Sequence, residues 1–236
     1  MIRFQRGRNA LVYPPDRGAM HRRAPMILFL HGMGERGPGG GELCRIARWG
    51  LARLRAQGLL HLGVPFPFVL AAPQCPPERT WGDEEVMAAL DAMLDEMIAS
   101  GEADPARLVI AGFSMGGYGA YDAALRWPAR FTALVSVCGK CLEPERLDEL
   151  AALPQWVAWA EDDEITRLTL GSKVIVERLA KHGRLVARPY RVGALGSDGA
   201  HPRTANAAFA EPDLYRWLLA RTGQSGALAS PYSSLR

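Results

Sequence analysis

Ser114 stands where a hydroxyl could do chemistry. An apolar, β-branched run (Leu108, Val109, Ile110) ends in Gly112-Phe113-Ser114-Met115-Gly116, and a small-residue helix pattern follows at once. This is the sequence form of an elbow that holds a serine on a tight turn between a buried strand and a helix. The flanking glycines have a steric reason: where strand and helix come this close, a Cβ at Gly112 or Gly116 would collide. Ser114 itself is expected in a strained backbone conformation. A serine hydroxyl is a poor nucleophile until a base takes its proton, so the chain must also supply a base and an acid.

Five histidines are available. His21 and His61 precede strands, and His182 ends a helix just before one, which puts all three at the far end of the sheet. His31 directly follows a strand. His201 lies in the loop after the last predicted strand, at the right edge and with room to swing in, and is the expected base. The acid is expected from the run Glu161-Asp162-Asp163-Glu164, which follows a strand directly. Asp163 is favoured by its position, with Asp162 as the alternative. An oxyanion hole needs two aimed N–H groups. One is the Met115 amide, at a helix N-terminus where donors are free and the dipole favours negative charge. The second is expected from the loop His31-Gly32-Met33-Gly34, with Met33 the choice and Gly34 the fallback. Trp81, His31 and Gly34 are candidate walls of a substrate pocket.

The elements that must position these groups alternate between strand and helix. Strands are predicted near Ala10 to Tyr13, over Met26 to Leu30, Phe66 to Ala72, the run into Ser114, Thr132 to Val137, Gln155 to Ala160 and Leu185 to Val192. Helices are predicted over Glu42 to Gln57, from Asp83 onward, after Ser114 as far as Trp127-Pro128, over Glu143 to Ala151 and Thr166 to His182, and around Leu214 to Leu219. Asp104-Pro105 punctuates the chain before the elbow strand. Nearly all-apolar strands alternating with helices call for an α/β fold whose mostly parallel sheet is covered on both faces. Ligands of such sheets bind beyond the carboxyl ends of the strands, where Ser114, His31, His201 and the acid run all fall.

With 236 residues the chain is read as one domain, with an N-terminal strand and loop segment over residues 1–25 and a flexible tail over residues 222–236. The net charge of +3 is small, and the arginines are scattered among acids; only Lys140, Lys173 and Lys181 are lysines. No basic run with interleaved aromatics suggests nucleic acid, and no apolar run approaches membrane-spanning length. Cys138 and Cys141 form a C-x-x-C without a second pair or a histidine at zinc spacing, so no metal site is read and unpaired buried thiols are expected for Cys44, Cys75, Cys138 and Cys141. Gly37 to Gly41 lacks the Lys-Ser/Thr of a phosphate cradle. No cofactor is expected. The cysteines and the absence of a signal peptide suggest a cytoplasmic location; a homo-oligomer stays open.

With these residues placed, the chain resembles the α/β-hydrolase superfamily, in its compact phospholipase/carboxylesterase branch, which includes feruloyl- and polyhydroxybutyrate-esterase-like members. The resemblance is carried by Leu28 to Gly37, Ala71 to Cys75, Trp81 leading into its helix, the elbow Gly112 to Gly119, and Pro212 to Leu219. The chain departs from the family at Trp159-Ala160, where the family usually has His-Gly, and at Gly199-Ala200-His201, where it often has Gly-His. The resemblance implies Ser114 as nucleophile, Asp163 as acid, His201 as base and Met33 as an oxyanion amide, in the order Ser, Asp, His that this fold uses. It implies an α/β-hydrolase fold without a sizeable cap, since only Gly139 to Pro154 separates two strands where caps are inserted. The expected function is cleavage of small-molecule carboxylic esters through an acyl-enzyme. An acyltransferase, a peptidase or thioesterase with the same residues, or a non-catalytic binder are the alternatives.

Overall fold

Apolar runs that leave no face for water become the inner strands of a sheet. The computed structural model describes residues 2–18, 23–196 and 199–223. Its seven strands are β1 (Ala10–Tyr13), β2 (Ala24–Leu30), β3 (Val69–Pro73), β4 (Ala103–Phe113), β5 (Ala133–Val137), β6 (Gln155–Ala160) and β7 (Leu185–Tyr190). They lie in the order β1-β3-β2-β4-β5-β6-β7. All neighbours pair in parallel except β1, which runs antiparallel along β3. His21 and the tail beyond residue 223 lie outside the described residues.

Alternation along β2 divides the core. Met26, Leu28 and Leu30 face one helical layer, and Ile27 and Phe29 face the other. On the first side pack α2 (Glu84–Ala99), α3 (Met115–Arg126) and α4 (Thr166–Leu179), through residues such as Leu90, Tyr121 and Ile175. On the second pack α1 (Gly50–Ala56), α5 (Ala200–Ala210) and α6 (Pro212–Arg221), where Phe209 meets Phe29 edge-on at 5.3 Å. Each such fully buried side chain contributes roughly 1.5–3 kcal/mol by removal from water. Between β5 and β6 there is only a short 3-10 segment, Pro144–Leu150, and no cap domain.

Several boundaries differ from the sequence reading. The helix expected over Glu42 to Gln57 is a 3-10 segment (Gly40–Arg48) and a separate α1, because Gly50 takes φ +66° and a Cβ there would press on Phe29 and Phe209. The third strand begins only at Val69, since Phe66 exchanges hydrogen bonds with Asp16 instead. Asp104-Pro105 lies inside β4, at its first residues, where the pairing with β2 shifts register and a proline is tolerated. The loop expected around His201 is the first turn of α5. Pro202 fits a first turn, where its missing N–H would be unsatisfied anyway.

Candidate active site

β4 delivers Ser114 at its carboxyl end, and α3 starts on the next residue. The turn is as tight as expected: a Cβ on Gly112 would overlap the Gly116 carbonyl, and one on Gly116 would overlap that of Leu30. Ser114 has φ 56° and ψ −117°, a conformation non-glycine residues avoid. Its own N–H donates to the Val137 carbonyl at 2.9 Å, which fastens the strained turn to β5.

His201 Nε2 lies 2.9 Å from Ser114 Oγ, and its Nδ1 lies 2.7 Å from Asp163 Oδ2. The structure thus brings together three residues singled out from the sequence, 87 and 38 positions apart. The Asp163 side chain has no exposure and that of His201 only 11%. With Nδ1–H donating to the carboxylate, Nε2 is left to accept from the serine hydroxyl. Phe113 lies against the imidazole at 4.8 Å, 36° from parallel.

The acid run divides its labour by residue. Glu161 takes Trp159 Nε1–H at 2.9 Å and pairs with Lys173. Asp162 accepts from the Gly193 amide at 2.7 Å. Asp163 faces His201 and also accepts the Ile165 N–H at 2.8 Å. Glu164 accepts the backbone N–H of His201 at 3.0 Å, so it holds the start of α5 where a helix favours a carboxylate. Adjacent acids therefore fix the ring and the backbone of the same histidine.

Cys138, the residue after β5, lies beside this pair, with φ 49° and no exposure. Burial pushes its thiol well above the ordinary range, as does the Asp163 carboxylate that it faces. Cys138, Asp163 and His201 offer donor atoms within 4.8 Å of one another. They do not fit a resident metal. The thiol is held protonated, and a cation would have to displace the proton that joins His201 to Asp163. All four cysteines are free thiols; Cys44, against expectation, is exposed because its helix pattern is a surface 3-10 turn.

The loop after β2 forms the opposite wall. Met33 opens a 3-10 turn, Met33–Glu35, whose carbonyl accepts from Arg36 at 3.4 Å, so its N–H points out of the turn's N-terminal end. Met115 occupies the same kind of position at the start of α3. Gly34 is exposed, with open space around its Cα. His31 and Trp81 are corrections. Each is only 1% exposed. His31 Nδ1–H donates to the Gly32 carbonyl at 2.6 Å, and Nε2 accepts the Cys75 N–H at 3.0 Å. Burial first, and then Arg36, lower its pKa to about 4 against that hydrogen bond, so it stays neutral. Trp81 donates to the His31 carbonyl at 2.9 Å and meets its ring edge-on. Both side chains brace the loop from behind.

Two further bracing groups escaped the sequence reading. Gln74 is buried and bonds Gly39, Glu35 and Glu42 through its amide, at 2.9 to 3.0 Å. Glu35 is 3% exposed, with its carboxylate packed against Gly32 and its pKa raised by burial. No periodicity marks either residue; a polar side chain inside a glycine-rich turn reads as surface. His61 is exposed and His182 lies near Asp148, both away from Ser114.

A model of the prolyl oligopeptidase family matches residues 78–160, a stretch that includes Ser114 but neither Asp163 nor His201. None of the curated proteins matches the chain. Among solved structures, the chain is similar to a thermostable esterase at 26% identity and TM-score 0.71, over 89% of this chain and 58% of that one. The chain thus spans little more than half of that esterase. It is also similar to a ferulic acid esterase (17% identity, TM-score 0.59, 91% and 92% covered). A phospholipase/carboxylesterase from Dyadobacter fermentans is similar in fold (13%, TM-score 0.51, 89% and 99%). Among the described residues no helix is long and apolar enough to cross a membrane. The strand order, the serine elbow at the end of β4 and these similarities give the chain an α/β-hydrolase fold, the fold of the esterases it is similar to.

Proposed function

We propose that the protein is a serine hydrolase that cleaves small carboxylic esters through an acyl-enzyme. The observation that carries this reading is the hydrogen-bonded chain Ser114–His201–Asp163 at the N-terminus of α3. Ser114 Oγ attacks the ester carbonyl carbon while His201 Nε2 takes its proton. Asp163 holds the Nδ1–H and stabilises the imidazolium that forms. The Met33 and Met115 amides donate to the oxyanion, which is worth roughly 3–4 kcal/mol per donor in comparable sites. Collapse of the intermediate expels the alkoxide, protonated by His201, and leaves the acyl group on Ser114. Water, deprotonated by the same imidazole, then releases the acid.

A fluorophosphonate probe and a chromogenic short-chain ester test the reading together. Ser114→Ala should abolish labelling and lower kcat on the order of a millionfold. Retention of more than about a hundredth of wild-type activity would overturn it. The prolyl oligopeptidase match supports a second reading, amide cleavage with the same residues. A matched pair of p-nitrophenyl ester and p-nitroanilide decides between the two.

A further inference from the structure

We propose that Lys140 and Arg167 form an anion-recognition site beside Ser114, so that the preferred esters carry a carboxylate or similar negative group near the scissile bond. This rests on the ester-hydrolase reading. Tyr118 lies one helical turn after Ser114, with its N–H on the Ser114 carbonyl at 3.2 Å. Helical side chains lean back toward the N-terminus, which directs the ring toward the first turn of α3. Lys140, in the segment after β5, holds its Nζ 5.4 Å from the centre of that ring. Arg167, in the first turn of α4, is the cation whose charge acts most on the Tyr118 phenol.

The segments that carry the two cations pack closely. A Cβ on Gly171 would run into Lys140, and Ser172 Oγ–H donates to the Gly139 carbonyl at 3.0 Å. Arg167 precedes Gly171 by four residues and so shares its helical face. Among the described residues neither Lys140 nor Arg167 is in an ion pair, whereas Lys173 pairs with Glu161 and Lys181 lies 3.8 Å from Asp148. Tyr118 does not neutralise them, because burial keeps its phenol protonated. The nearby Asp163 carboxylate is buried and occupied by His201 and Ile165. Two like charges around one neutral ring repel, and a bound anion relieves that repulsion. Leu142, two residues after Lys140, and Leu170, three after Arg167, are 52% and 59% exposed, which suits an anion carried on an alkyl or aryl group.

The test uses matched esters on both sides of the scissile bond. The acyl arm compares the mono-p-nitrophenyl ester of adipic acid with its methyl-capped form. The alcohol arm compares the butyrate ester of 4-hydroxybenzoate with that of its methyl ester. In one arm the charged ester should have about tenfold higher kcat/KM, and the advantage should shrink as salt rises from about 20 mM to about 0.5 M. Lys140→Gln and Arg167→Gln should each lower the charged-to-neutral ratio about five- to tenfold, and Lys140→Glu with Arg167→Glu should invert it. Lys181→Gln is the control and leaves the ratio as it was. Neutral esters cleaved without a charge preference in either arm, or a preference untouched by salt and by these variants, would refute the anion site alone. If Ser114 takes no fluorophosphonate and no ester is cleaved, the hydrolase reading and the anion site fall together.

Discussion

Asp163→Asn tests the proposed acid at constant size. One carboxylate oxygen takes the Ile165 N–H at 2.8 Å and the other takes His201 Nδ1 at 2.7 Å. An asparagine that keeps the Ile165 bond must turn its NH2 toward Nδ1. Two donors cannot face one another, so the imidazole moves its proton to Nε2 and can no longer accept from Ser114. The flipped amide instead sets NH2 against the buried Ile165 N–H, a mismatch worth roughly 1–3 kcal/mol. The first arrangement therefore prevails, and kcat should fall about 10⁴-fold, near 5.5 kcal/mol of barrier, with KM nearly constant. Asp162→Asn is the internal control. Asp162 accepts from the Gly193 amide at 2.7 Å, which an asparagine oxygen does equally well, so kcat should stay within about threefold of wild type. Initial rates on p-nitrophenyl butyrate, with folding checked by near-ultraviolet circular dichroism, give both numbers. Asp163→Asn within tenfold of wild type, or Asp162→Asn falling equally far, refutes the assignment.

His31 supplies a pH dependence with a definite sign. Its folded pKa is lowered to about 4 while an unfolded histidine titrates near 6.5, so the unfolded chain binds a proton that the native state refuses. Stability is therefore lost as pH falls through that window, by about 2 kcal/mol between pH 8 and pH 5. Urea midpoints at both pH values should show this loss in the wild type and a correspondingly flatter dependence in His31→Gln; equal slopes would contradict it. Glycine substitutions should separate close approach from mere loop composition. Gly116→Ala, which would overlap the Leu30 carbonyl, should destabilise by more than about 3 kcal/mol or abolish soluble expression, whereas Gly34→Ala should stay within about 1 kcal/mol in thermal melts.

The sheet was legible because its strands are written as uninterrupted apolar runs. Gln155–Ala160 matches the expected span at both ends. Ser114 was legible because two glycines and a strand-to-helix switch have few other uses. The meeting of Asp163 and His201 with Ser114 was legible by topology: a parallel sheet brings its strand ends to one edge, and few carboxylates and imidazoles fall there. What escaped depends on packing partners far away in sequence. The break at Gly50 answers to Phe29 and Phe209. α5 was hidden because its N-terminus is held by Glu164, 37 residues earlier. Trp81 and His31 read as pocket walls because they flank the right strand ends, yet each spends its polar atoms on the loop behind the site. Local pattern carries no sign of such bonds.

α5 carries His201 and docks onto α1, where Asn206 accepts the Gly50 N–H at 2.9 Å across 156 residues of chain. During synthesis Ser114 and Asp163 emerge well before the imidazole that would activate the serine. Closing so distant a contact is slow compared with forming local helices. A nascent chain, or a fragment cut before residue 201, would hold an elbow serine with no base. Such a piece would be inert toward the esters around it. On the proposed mechanism, ester turnover would thus report completed folding of the whole sheet, from its first helix to the one before the last.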